Sequence, residues 1–244
     1  MNDLITKEEI EQFRTPQEFI AWFERFLHKT FVDRKYKKEI LLRKGIAKEV
    51  YEEVFPVYRL LQIFGDNWDS LKFRNLVGDQ NYDVEVEGDD SEPFKYIEIT
   101  AADMNYEENL RMEYFLKHGS VSSIGRVSVT GTKRTGQEIV VESEARHSTE
   151  IVVDKIKGMV SSVEKKVEKD YPDRTALLVY IDDYVGFSDD EDLDLIDSAL
   201  SDLRVSCETT FDAVFVVGHS GRRAWRMNRG EQVSRYNSDQ SLRD

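Results

Sequence analysis

Two runs in the second half of the chain, "TALLVYID" at 175–182 and "FDAVFVVG" at 211–218, are almost wholly apolar and rich in β-branched or aromatic residues. A strand that faces water on one side alternates in polarity, whereas one buried on both faces does not. These two runs therefore require a sheet covered on both sides. Amphipathic segments supply the cover. In 149–169, Val152, Ile156, Val160, Val163 and Val167 recur at helical spacing, with Lys155, Lys165, Lys166 and Lys169 elsewhere on the surface. Shorter strands precede them: 72–77, 82–86 and 95–100, each bounded by turn residues. The order helix, three strands, helix, strand, helix, strand predicts an α/β fold, a mixed central β-sheet flanked by helices.

Helix starts are legible from capping boxes. "TKEE" (Thr6 to Glu9), "TPQE" (Thr15 to Glu18), "NYEE" (Asn105 to Glu108) and "SDDE" (Ser188 to Glu191) each place a capping side chain three residues before a glutamate. Helices are expected at about 6–13, 16–28, 35–64 with an interruption, 105–117, 149–169 and 189–203. Pro56 lies inside the third and lacks an amide donor, so a kink or break is expected there. Residues 126–143 alternate around "TKRTG" and predict a β-hairpin arm between two helices. Residues 1–30 read as a helical annex, 31–229 as the main domain, and 230–244 as a mobile tail with little to bury.

Composition removes several classes of function. Cys207 is the only cysteine, which excludes an internal disulfide framework and a Cys-based zinc site. The four histidines, His28, His118, His147 and His219, lack metal-ligand spacing, and His147 and His219 read as surface or loop residues. There is no glycine-rich phosphate loop and no nucleophile elbow. The N-terminus lacks the order of a signal peptide and no apolar run suits a membrane span, so a soluble, cytoplasmic protein is expected. The net charge of −14 argues against general coating of nucleic acid. It is uneven, however: residues 182–202 hold nine acidic residues and no Lys or Arg, and the remainder carries 34 basic against 39 acidic residues. That acidic run lacks the EF-hand ligand pattern, and Leu193, Ile196, Leu200 and Leu203 make it an amphipathic helix.

A further unusual stretch is "NYDVEVEGDDSEPFKYIEIT", 81–100. If its turn spans 88–93, residue 85 pairs with 96 and 83 with 98, which turns Val84, Val86, Ile97 and Ile99 to one face. Asp83 and Glu98 then lie opposite one another, about 5 Å apart at Cβ. Like charges so placed destabilise a sheet unless one is protonated or a cation is shared. The alternative is a solvated acidic hairpin. Magnesium is commonly held by one or two carboxylates together with phosphate oxygens and water.

The Asp at the start of one strand, Glu98-Ile99-Thr100 on the next, the upstream helix "KEVYEEVFPVY" and the later "KKVEKDYPDRTALLVYID" together resemble the PD-(D/E)XK nuclease superfamily. That resemblance covers roughly 46–100 and 151–182 and implies a restriction-endonuclease-like αβββαβ core, the 126–143 hairpin being an insertion. It implies hydrolysis of DNA phosphodiester bonds by water activated on Mg²⁺ or Mn²⁺. Asp83 and Glu98 would be metal ligands, and Glu53 or Glu49, one helical turn apart, the auxiliary acid. Thr100 stands where the family has the lysine that assists the attacking water; Lys155, Lys165 and Lys166 are candidates to replace it. Superfamily enzymes that cut both strands often act as dimers, so a homodimer is one arrangement the resemblance implies.

Alternatives stand beside this. Glu49, Glu52 and Glu53 also fit the solvated side of a helix. Gln80 is either a loop residue or placed to orient a water. Candidate nucleic-acid contacts are Lys133 and Arg134 on the arm, and Arg222, Arg223, Trp225 and Arg226 in "GRRAWRMNR", which mixes phosphate-binding and stacking side chains. The same residues also suit the charged edge of a sheet. A second functional reading is a nuclease fold without catalysis, acting as a binding or regulatory module; a third is an interaction protein that uses the arm as a strand edge.

Overall fold

The computed structural model describes residues 5–90, 92–102, 106–132 and 136–237. Its centre is a seven-stranded mixed sheet in the order β1-β2-β3-β6-β7-β8-β9. Strands β1 (Lys72–Asn75), β2 (Val84–Glu87) and β3 (Tyr96–Ala101) form an antiparallel meander. β6 (Thr175–Ile181) and β7 (Ala213–Gly218) continue parallel to β3, and β8 (Arg223–Asn228) and β9 (Ser234–Asn237) close the sheet antiparallel. Every residue of β6 and β7 is buried, as their unbroken apolar character requires. A separate two-stranded sheet, β4 (Val127–Thr132) with β5 (Gly136–Val141), forms the hairpin.

Alternation along the strands divides the interior into two cores. One joins Val84, Val86, Ile97, Ile99, Leu178, Tyr180 and Phe215 to helices α1 (Lys7–Ile10), α2 (Pro16–Val32) and α5 (Phe55–Phe64). The other joins Leu177, Val179, Ile181 and Val216 to α7 (Ser148–Val167) and α8 (Asp190–Glu208). Five more elements complete the described helices: α3 (Arg34–Leu41), α4 (Ile46–Glu49), a π-helical turn at Val50–Val54, a 3₁₀ turn at Gly65–Asn67 and α6 (Tyr106–His118). None of the described helices is long and apolar enough to cross a membrane.

Capping follows the sequence closely. Thr6 caps α1, and Thr15 with Glu18 makes a reciprocal capping box on α2. α8 is capped by Asp189 rather than Ser188, through a bond from the Asp192 amide. Asn105, expected to cap α6, lies outside the described residues. The helical assignment runs unbroken through Pro56: a π-helical turn, Val50–Val54, links α4 to α5, and the Phe55 amide donates to the Val50 carbonyl. Pro56 falls in the first turn of α5, where a missing amide is tolerated.

Two boundaries differ from expectation. Residues 5–30 pack onto the main core rather than standing apart as an annex. Phe19, Trp22, Phe23 and Phe26 of α2 belong to the same core as β2, β3 and β7, and Arg14 bridges to Phe73 of β1. An amphipathic helix with four aromatic residues on one face has too much to bury to stand apart. Residues 234–237, expected in a mobile tail, form β9 on β8, with Arg235 paired to Asp194 and Asp197 of α8; 238–244 lie outside the described residues.

If α2 is integral, Phe23→Ala lowers the stability of the whole molecule by about 3–5 kcal/mol and urea unfolding remains a single transition. A separate early transition that leaves the main midpoint unmoved would contradict this.

Candidate functional site

The register of β2 on β3 is Glu85 opposite Tyr96 and Val84 opposite Ile97, which carries Asp83 to the position facing Glu98. Beyond that point the strands part. The Asp83 amide still donates to the Ile97 carbonyl at 2.9 Å, but the Ile99 amide donates to the Asp83 carboxylate, 2.6 Å from Oδ2. A side chain has taken over where the backbone ladder stops, so the acid is fixed at the mouth of a fork between two strands.

Glu98 is buried on the face covered by α7. Its Oε1 accepts from Lys166 Nζ, in the last turn of α7, and more weakly from Tyr171 Oη at 3.4 Å. Of the three lysines nominated to replace the motif lysine, Lys166 is the one at the site. Lys155 instead donates to the carbonyls of Asp182 and Val185 and to the Asp182 carboxylate, and Lys165 is exposed. Thr100 sits two residues on, half-buried and opposite Val179, and carries no charge.

Glu53 comes from the π-helical turn, which packs against β3. Burial, then the charge of Asp83, then a hydrogen bond and charge from Glu49 push its carboxyl well above the usual range. Asp83 is raised likewise by burial and by Glu98, with the Ile99 amide and Lys166 pulling the other way. Glu49 is therefore a neighbour of Glu53, not a substitute for it. Glu98 holds the Tyr171 phenol in its neutral form, after burial as the larger cause.

As a donor set, Glu49, Glu53, Asp83 and Glu98 offer only oxygen, with Lys166 as the cation bonded to Glu98. That surplus of negative charge fits a hard dication. Asp83 and Glu98, with Glu53, would hold it. Among the described residues no three His, Cys, Asp or Glu side chains converge closely enough to form a cage as they stand.

Several expected contacts with nucleic acid fall elsewhere. Trp225 is fully buried and donates to Asp197 Oδ1 at 2.7 Å, so it offers no stacking face. Arg226, on the other face of the same strand, pairs with Glu92 at 2.7 Å and lies over Phe215. Arg223 is half-buried near Asp183, and Arg222 is exposed. The basic, aromatic stretch is strand β8, whose alternation sends its tryptophan into the core. Lys133 and Arg134 lie outside the described residues.

His147 is the exposed loop residue expected of it, whereas His219 is half-buried in the turn after β7. His147 caps α7 through its Nδ1. His219, at the end of β7, is enclosed by Tyr51, Phe55, Tyr180 and Tyr184, with ring centroids 5.1–5.9 Å away. Burial pushes its pKa down to about 4, leaving a neutral imidazole.

No family model, no curated protein and no solved structure matches this chain.

Because Asp83 and Glu53 titrate higher folded than unfolded, folding takes up protons, and stability without metal falls as pH rises. For Glu53 the window runs from its ordinary 4.5 to about 9. The urea midpoint of the metal-free protein should decline from pH 6 to 9, and Glu53→Gln should flatten that slope. An unchanged slope in Glu53→Gln would show that the charge is not confined there.

Proposed function

We propose that the fork is the active centre of a divalent-metal-dependent phosphodiesterase that hydrolyses nucleic acid, DNA in the first instance. The observation that carries this reading is the meeting of Asp83 and Glu98 where β2 and β3 part, with Lys166 on Glu98 and Glu53 electrostatically coupled to Asp83. Support also comes from topology. A helix, three antiparallel strands, a crossover helix and a parallel strand follow the αβββαβ order of the PD-(D/E)XK superfamily that the sequence resembles. The β4–β5 hairpin then counts as an insertion between α6 and α7.

In this reading Mg²⁺ or Mn²⁺, when bound, polarises a phosphoryl oxygen and acidifies water. The remaining roles belong to the chain. Lys166 Nζ holds the Glu98 carboxylate in place and puts a positive charge where the missing motif lysine would bring one, in place of Thr100. The Ile99 amide fixes the orientation of Asp83. Glu53, raised in pKa, is suited to accept and carry a proton at its carboxylate.

The direct engagement of Glu98 by Lys166 and Tyr171 also favours a second reading, a nuclease-like fold that binds without cutting. One assay separates the two. With Mg²⁺ or Mn²⁺, the wild-type protein should cleave DNA, and Asp83→Asn and Lys166→Met should each lower the rate by about a hundredfold or more. No cleavage by the wild type, or equal cleavage by Asp83→Asn, rejects the catalytic reading.

A further inference from the structure

The C-terminal ends of β3, β6 and β7 open onto a cleft that the acidic fork does not use. It comprises a cavity of about 290 Å³ and an adjoining one of about 390 Å³. Tyr51, Tyr184 and His219 form the wall that both share. Crevices at the carboxyl ends of parallel strands are a general location for ligands, and these dimensions suit a small planar molecule.

The chemistry of the wall narrows the ligand. Its faces are aromatic: the rings of Tyr51, Tyr180 and Tyr184 surround His219. Tyr180 lines the cavity, and its buried hydroxyl has no hydrogen-bond partner among the described residues. A buried hydroxyl without a partner costs stability, and a ligand edge would satisfy it. His219, kept neutral, offers one ring donor and one ring acceptor. At the rim the Arg43 guanidinium lies over Tyr51, 4.5 Å from the ring centroid, on a backbone with φ of 48°. Flat π faces and a polar edge to read match a nucleobase, with Arg43 and Arg111 beside Glu108 and Asp182 around the mouth.

Position narrows it further. Tyr51 belongs to the same π-helical turn as Glu53, and π-turns recur at functional sites. Ala101, which lines the cleft, follows Glu98 by three residues on β3, about 10 Å along the strand. That separation is about three stacked nucleotides at about 3.4 Å each, short enough for one strand to span.

We propose that this aromatic cleft holds one unstacked base of a nucleic-acid strand whose backbone passes the acidic fork, so that the substrate is single-stranded or carries an unpaired nucleotide. The proposal takes its substrate class from the reading of the fork given above, but its test does not depend on cleavage.

Binding is measured by calorimetry on the full chain in EDTA, where no cutting can occur. The probes are thymidine 5′-monophosphate, ribose 5-phosphate, a thymidine oligonucleotide and a blunt duplex of the same length. The account predicts saturable binding of the mononucleotide, at least tenfold weaker binding of ribose 5-phosphate, and at least tenfold tighter binding of the single strand than of the duplex. Tyr184→Ala, whose side chain is largely exposed, should weaken the mononucleotide and the single strand about tenfold without moving the melting temperature. Tyr180→Phe should weaken both severalfold and also leave melting unchanged, because its hydroxyl has no partner to lose.

Equal binding of ribose 5-phosphate and mononucleotide, unaltered binding by Tyr184→Ala, or no binding of any probe overturns the base pocket. Binding of the free mononucleotide without the single strand overturns the assignment to a strand. Binding as predicted in a protein that never cleaves leaves the pocket standing and removes only the catalytic reading.

Discussion

Backbone geometry brings two carboxylates to facing positions on neighbouring strands, and the site is organised around that opposition. Once Val84, Val86, Ile97 and Ile99 are committed to one core, alternation leaves Asp83 and Glu98 no other face. A slip of one residue would expose four apolar side chains, so the hydrophobic core enforces the electrostatic conflict. The fold answers it locally. The strands separate at Asp83, the Ile99 amide bonds its carboxylate, and α7 brings Lys166 to Glu98. Burial first, and the charge that remains second, raise Asp83 and Glu53.

The layers on either side bring the other groups in. α7 approaches β3 closely at Gly158, where a Cβ would lie 3.3 Å from the Ala102 carbonyl, and Lys166 follows two turns later on the same helix. On the opposite face the π-helical turn leads into α5, with Pro56 in its first turn. The π-turn carries both Glu53 toward the fork and Tyr51 toward the aromatic cleft. A single local irregularity thus links the two candidate sites.

Much of this was legible from residue pattern. Unbroken apolar runs marked β6 and β7, alternation fixed the β2–β3 register through its apolar face, and capping boxes marked α1 and α2. The position of Lys166 was only one of three choices, because a helix's rotation against a sheet depends on packing across the whole layer. β8 was hidden because arginines alternating with Ala224, Trp225 and Met227 look like a nucleic-acid motif until strand parity sorts them into core and surface. β9 has one half-buried residue and needs β8 as its template. The cleft around His219 joins residues from the π-turn, β6 and the loops after β6 and β7, with no short-range signal among them. The integral role of α2 was open to inference from its aromatic face, but where that face docks was not.

The direct measure of the central claim is how the protein takes up Mn²⁺, followed by electron paramagnetic resonance on the wild type, on Asp83→Asn, and on Asp202→Asn of the acidic helix α8. If opposed carboxylates at the strand fork make a dication site, the wild type and Asp202→Asn bind one tight equivalent and Asp83→Asn loses it. Binding that is weak and unsaturable in all three, or a tight equivalent that survives in Asp83→Asn, would mean that the acids meet there for the sake of the fold alone.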